Sequence, residues 1–138
     1  MAAVETLAAK LNQHGIRPSA QRLAIGAYVL ETGEHPSAER VWSQVRPQLP
    51  MVSRATVYNT LNLFVQRGLL RELQLTPGPV VYDANLAPHH HLIDEATGAI
   101  TDVPWQALTV EGIEALDAVE VQQHSVVLRG RRRSQAQG

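Results

Sequence analysis

The hydrophobic period of this chain changes at Gly68, and the change demands two kinds of structure from one short sequence. Before Gly68, apolar residues recur at spacings of three and four. Val4, Leu7, Ala8 and Leu11 share one face of a first helix that Gly15 stops. Ser19 caps a second, carrying Leu23, Ala27 and Leu30 and ended by Gly33. Ser37, behind Pro36, opens a third with Val41, Trp42 and Val45, halted before Pro47 and Pro50. Ser53 opens the fourth, whose apolar stripe is Val57, Leu61, Phe64 and Val65. Helices this short persist only by packing on one another.

After Gly68 the chain becomes extended. Residues 69–75 and 80–83 flank Thr76-Pro77-Gly78-Pro79 as a hairpin, and a helical set ending in a hairpin is the winged helix-turn-helix plan. A second hairpin joins 91–94 to 99–103 about Ala96-Thr97-Gly98. A helix over 110–118 and a strand over 119–128 complete a small second unit. The expected fold class is therefore α+β, with a winged helix-turn-helix domain over 1–84 and a small α/β domain over 85–138 that ends in a disordered basic tail.

Composition narrows the chemistry. With 138 residues the chain has room for one or two small domains. It has no cysteine, which excludes disulfides, thiolate nucleophiles, iron–sulfur clusters and any zinc site built on sulfur. A metal here needs nitrogen and oxygen ligands. No apolar run approaches the roughly 20 residues that cross a bilayer, and the first ten residues are too polar for a secretory signal, so a cytoplasmic protein without a membrane partner is expected. The net charge of −1 hides a split: eight Lys/Arg against six Asp/Glu before residue 85, four against seven after it. The front half is the better partner for phosphate. Arg129, Arg131, Arg132 and Arg133 read as a solvated terminus before they read as a phosphate contact.

On the helix from Ser53, the residues off the apolar stripe are Arg54, Thr56, Tyr58, Asn59 and Thr60, gathered near its N-terminus. That end of a recognition helix enters the major groove, where Arg54 would meet phosphate or guanine, Asn59 adenine and Tyr58 a thymine methyl. An ordinary amphipathic helix with a polar outer face gives the same pattern; the wing that follows favours DNA.

Gly15-Ile16-Arg17-Pro18-Ser19-Ala20-Gln21-Arg22, His35-Pro36-Ser37-Ala38-Glu39, Ala55-Thr56-Val57-Tyr58-Asn59-Thr60-Leu61, Tyr82-Asp83 and His89-His90-His91 occur in that order. Together they resemble the ferric uptake regulator (Fur) family over about residues 10–130. The resemblance implies a homodimeric, metal-dependent repressor of transcription that binds operator DNA, with a C-terminal domain for dimerisation and metal sensing. It places Arg17 at a minor groove and Tyr58 on a base. Asn59 stands where many members carry arginine, which changes the expected operator.

His89 and His91 are two apart, so on a strand both imidazoles share one face and His90 takes the other. Alone, such a triplet more often marks solvated surface histidines, and His35 a loop residue beside a helix cap. The resemblance implies that His35, Asp83, His89, His91 and Asp102 form one regulatory site. Three imidazoles and two carboxylates suit iron(II) or manganese(II), accept zinc(II), and leave one octahedral position open. It also suggests a second site from His90, Glu111 and His124. The family's structural four-cysteine zinc cannot form, because Asp94 and Thr97 stand at the first cysteine pair. The dimer must then rest on apolar packing by residues such as Ile93, Ile100, Val103, Leu116, Val121, Val126 and Leu128.

Aspartate at position 102 is similar to the peroxide-stress branch (PerR), whereas iron-sensing members generally have glutamate there. The implied mechanism is iron-catalysed oxidation of a ligand histidine, His35 or His89. The histidine triplet, Asn59-Thr60-Leu61 and Asp102-Val103-Pro104 are also similar to the iron response (Irr) branch, which follows haem status. A haem here would need histidine ligands. From another class, two histidines and a carboxylate also describe a non-haem iron oxygenase, but the chain after Ala84 offers little room for a substrate pocket. A purely structural module would show no metal-dependent DNA binding.

Overall fold

The helices start at the residues able to cap them. In the computed structural model, which describes residues 5–133, the chain divides into two units, Met1–Leu86 and Ala87–Gly138. The first unit holds α1 (Leu7–Gln13), α2 (Ala20–Val29), α3 (Ala38–Val45) and α4 (Arg54–Gln66). Ser19, Ser37 and Ser53 each accept a hydrogen bond from the backbone N–H three residues on. Thr6 does the same for α1. Val4 lies outside the described residues.

Two glycines end helices by geometry. Gly15 and Gly68 have φ of 72° and 81°, a left-handed conformation open to glycine at little cost. Ile16 N–H donates to Leu11 O and Leu69 N–H to Phe64 O, five residues back in each case, while the glycine N–H bonds Asn12 O or Val65 O. This double bond pattern satisfies carbonyls that a helix end otherwise leaves open. It also brings apolar residues together across the turn: Leu11 with Ile16, and Phe64 with Leu69, all four buried.

The core of this unit is Leu11, Ile25, Val29, Val41, Val45, Val57, Leu61, Phe64 and their neighbours. The wing pairs β1 (Arg71–Leu73) antiparallel to β2 (Val81–Asp83), with Arg71 opposite Asp83. Val81 also bridges Ser37, and Tyr82 N–H donates to Pro36 O at 2.9 Å. The segment before α3 is thereby stitched to β2.

The second unit is a three-stranded sheet in the order β4–β3–β5. In it β3 (His89–Asp94) runs antiparallel to β4 (Ile100–Pro104) and parallel to β5 (Val127–Gly130). The helix expected over 110–118 is absent. A single 3-10 turn, Ile113–Ala115, follows Gly112 in a left-handed conformation with no side-chain cap, so nothing offsets the cost of nucleating a helix. The strand expected over 119–128 is confined to Val127–Gly130, because only that stretch has β3 to pair with. Of the residues expected to pack a dimer, only Ile93 is buried, while Leu116 and Leu128 are 57% and 40% exposed. Arg131, Arg132 and Arg133 are described and exposed; the rest of the expected disordered tail, 134–138, lies outside the described residues. Among the described residues no helix is long and apolar enough to cross a membrane.

Candidate metal centre and nucleic-acid face

Each unit gathers part of the expected ligand set. In the first, the Pro36–Tyr82 hydrogen bond brings His35 beside the end of β2, and His35 Nε2 stands 3.3 Å from Asp83 Oδ2. Both side chains are almost fully buried, at 2% and 4% exposure. Asn85 N–H donates to Asp83 Oδ1 at 2.9 Å, which fixes the carboxylate and turns Oδ2 toward the imidazole.

In the second unit the alternation of β3 puts His89 and His91 on one face, their ring centroids 4.6 Å apart. Pairing with β4 sets Asp102 opposite His91, and Asp102 Oδ1 lies 3.4 Å from His89 Nε2. His89, His91 and Asp102 each offer a ligand atom within 4.8 Å of the others. His89 Nδ1 lies 2.6 Å from Ala87 O; a carbonyl only accepts, so Nδ1 carries a proton, and the ring's remaining nitrogen, Nε2, is the one placed to be a ligand.

The spacings fit an ion. Donor atoms about 2.1 Å from a first-row cation stand roughly 3.0 Å apart along an octahedral edge and 3.4 Å apart in a tetrahedron. The 3.3 and 3.4 Å separations fall in or near that range and are long for a direct hydrogen bond. Neutral imidazoles and carboxylates are the donors that iron(II), manganese(II) and zinc(II) accept.

The structure does not bring the expected second group together as a cluster of ligand atoms among the described residues. His90 leaves the ligand face and is buried, with Val126 N–H donating to Nδ1 at 2.9 Å and Nε2 donating to Trp105 O at 3.2 Å. Its ring stacks on Trp105, which also touches His124, while Glu111 is exposed; no cluster of three ligand atoms joins His90, Glu111 and His124 among the described residues. Backbone groups already use both nitrogens of His90, so it ties β3 to the turn after β4 and to the residue before β5. Asp94 and Thr97 have likewise become turn formers, accepting from Ala96 N–H and Ala99 N–H.

On the first unit, Arg17, Ser19, Arg22, Thr56, Asn59 and Thr60 line a cleft of about 440 Å³. Arg17 thus meets three of the residues expected on DNA. Thr60 is buried and forms part of the floor, and Tyr58 is half exposed. Arg54 is engaged elsewhere: it makes a two-point ion pair with Glu39, at 3.0 to 3.2 Å, over the Trp42 ring. The hydrogen bond from Arg54 holds the Glu39 carboxyl below its usual range. Sequence reasoning missed Arg22, whose Nη1 donates to Arg17 O and braces that loop. Its place three residues after the Ser19 cap, facing the same way as the loop, was the available signal.

The sequence profile of the ferric uptake regulator family matches residues 13–129. The chain belongs to the ferric uptake regulator family. Over 105 residues it is 35% identical to the peroxide-responsive repressor PerR of Staphylococcus aureus, which covers 76% of this chain and 71% of the relative. The Vibrio cholerae ferric uptake regulator shares the fold with a TM-score of 0.71 at 24% identity, over 92% of this chain and all of that one. A zinc-bound manganese uptake regulator gives the same TM-score at 25% identity, over 93% and 99%. As a member of this Fur family the chain is a metal-responsive regulator of transcription and not an enzyme, which sets aside the oxygenase reading.

Proposed function

We propose that the chain is a homodimeric repressor that binds operator DNA when His35, Asp83, His89, His91 and Asp102 together hold one iron(II) or manganese(II) ion, and that it responds to peroxide. The observation that carries the reading is the pair of donor sets, each already spaced for a cation. Covalent tethering supports their sharing one ion: Asp83 and His89 are six residues apart, a reach of at most about 20 Å. Arg17, Arg22, Thr56, Tyr58 and Asn59 would face the DNA, with Thr60 beneath them and Arg54 anchoring the helix. A regulator of this kind works in the cytoplasm, where its operator is.

A bound iron(II) would supply the one-electron chemistry that hydrogen peroxide needs. The protein's part is to hold an oxidisable ring there. The ring C–H of His35 or His89 becomes C–OH as hydrogen peroxide becomes water, and the altered imidazole is a poorer ligand. Support comes from Asp102 and from the peroxide-responsive repressor at 35% identity. DNA binding measured with manganese, iron and zinc, each with and without peroxide, tests the proposal. Binding that survives peroxide with manganese and is lost with iron, with one oxygen added to the His35 or His89 peptide, is the expected result. Loss without added oxygen on either peptide overturns the peroxide reading. A stoichiometric Soret band on haem titration would replace it with the haem-status alternative.

A further inference from the structure

Arg54 is the first residue of α4, at the end of the helix that would enter a groove, yet its charge is already matched. Its Nε donates to both oxygens of Glu39 and its Nη2 to one of them, at 3.0 to 3.2 Å. The hydrogen bonding lowers the pKa of Glu39 and raises that of Arg54. The pair lies in the open, its side chains 58% and 56% exposed. An ion pair in water adds little to stability, because solvent replaces either partner at small cost. A guanidinium fork of this geometry suits a phosphate as well as it suits a carboxylate.

The guanidinium also rests on a ring. Arg54 Cζ lies 3.9 Å from the centroid of Trp42. Trp42 is held in turn by a hydrogen bond from Nε1 to Val52 O at 3.1 Å, next to the Ser53 cap of α4. Arg46 Cζ lies 4.7 Å from the same ring, and Arg46 makes no ion pair among the described residues. Two cations share one ring, and only one of them is paired with a carboxylate. The ring attracts Arg54 whichever anion the fork holds, so exchanging that anion does not require α4 to move.

We propose that Glu39 masks Arg54: in the free chain the carboxylate fills the guanidinium fork, and a DNA backbone phosphate must displace it, with the guanidinium staying on Trp42. The inference rests on the DNA-face reading above, which gave Arg54 only the task of anchoring the helix. Its consequence is a brake on binding. A bare arginine at the tip of α4 would add a phosphate contact on any duplex, whatever its sequence. A masked one contributes only where the rest of the face already holds the backbone close enough for the exchange. Glu39 therefore lowers the affinity for DNA, and neutralising it raises that affinity.

Fluorescence anisotropy of the full chain, loaded with manganese and titrated with a labelled mixed-sequence duplex over a salt series, tests it. Glu39→Gln is expected to bind about 3-fold more tightly, a gain that misfolding cannot produce. Its plot of log affinity against log salt should be steeper by roughly 0.9 per chain, one phosphate contact. In an Arg54→Gln background the same substitution should bring no gain, since no cation is left to unmask. A Glu39→Gln chain that binds equally or more weakly overturns the mask and leaves Arg54 an anchor alone. An equal gain in the Arg54→Gln background overturns it too, because losing a negative charge near the backbone is then the whole effect. The NMR signal of the Arg54 Nε–H, recorded on the original chain with zinc in place of paramagnetic manganese, needs no variant. It should shift when the duplex is added, and a signal that stays in place overturns the exchange. An original chain that binds no duplex even at low salt removes the DNA-face reading itself, and the mask with it.

Discussion

The two units keep different things away from water. The first buries fourteen apolar side chains around α4. Among the described residues the second buries four, and three of them are His89, His90 and His91. Each aliphatic or aromatic side chain removed from water contributes about 1.5–3 kcal/mol, whereas a buried imidazole contributes only what its partners return. The first unit is thus built to stand on its own core, and the second is built around buried imidazoles and the groups that partner them. Constancy belongs to the apolar core beneath the face that would touch DNA, and responsiveness to the polar groups, His35 and Asp83 of the first unit among them, that would hold the signal.

The largest expected effect comes from cutting into the self-sufficient unit. Phe64→Ala should cost about 3–5 kcal/mol in thermal or urea unfolding, with or without metal. If manganese repaired that loss, the stability of the first unit would not rest on its own core. Next comes the ion: manganese at about 100 times its dissociation constant should stabilise the chain by about 2.7 kcal/mol. His91→Ala should abolish that gain, and chelation should reverse it, as read by the melting temperature. Ser53→Ala should cost about 1 kcal/mol by removing the cap of α4, and it should weaken DNA binding without changing metal affinity. The smallest effect concerns Glu39. Arg54 lowers its pKa, so its contribution is complete above the ordinary carboxylate pKa and disappears as pH falls through the lowered value. Glu39→Gln should erase that acid-side dependence from an unfolding-versus-pH profile and leave the neutral-pH response to metal unchanged.

Legibility in the sequence follows the same divide. Ser19, Ser37 and Ser53 were readable as helix starts because capping is settled within three residues. The strand alternation that separates His90 from His89 and His91 was equally local. Residues 110–126 depart from the expected helix and strand because Gly112 takes a left-handed conformation and the 3-10 turn after it has no side-chain cap. The first residues of the expected last strand had no partner strand. Arg54 is a case of a different kind. Its position on the polar face suggested a DNA contact, but Glu39 lies fifteen residues away in sequence, and only the packing of α3 on α4 brings the two together. Of the expected ligand residues, spacing alone paired only His89 with His91, and the family resemblance supplied the rest. The backbone groups that orient them, Ala87 O and Asn85 N–H, carry no side-chain signature.

Asp94 and Thr97 hold the β3–β4 turn with oxygen atoms alone. An oxidant that strips a thiolate-bound metal can dismantle the scaffold of a protein that relies on one; here the sheet has no sulfur to corrode. Under the proposed function, exposure to peroxide would register at the histidines assigned to the ion while the surrounding architecture survived it, keeping the message separate from the wear.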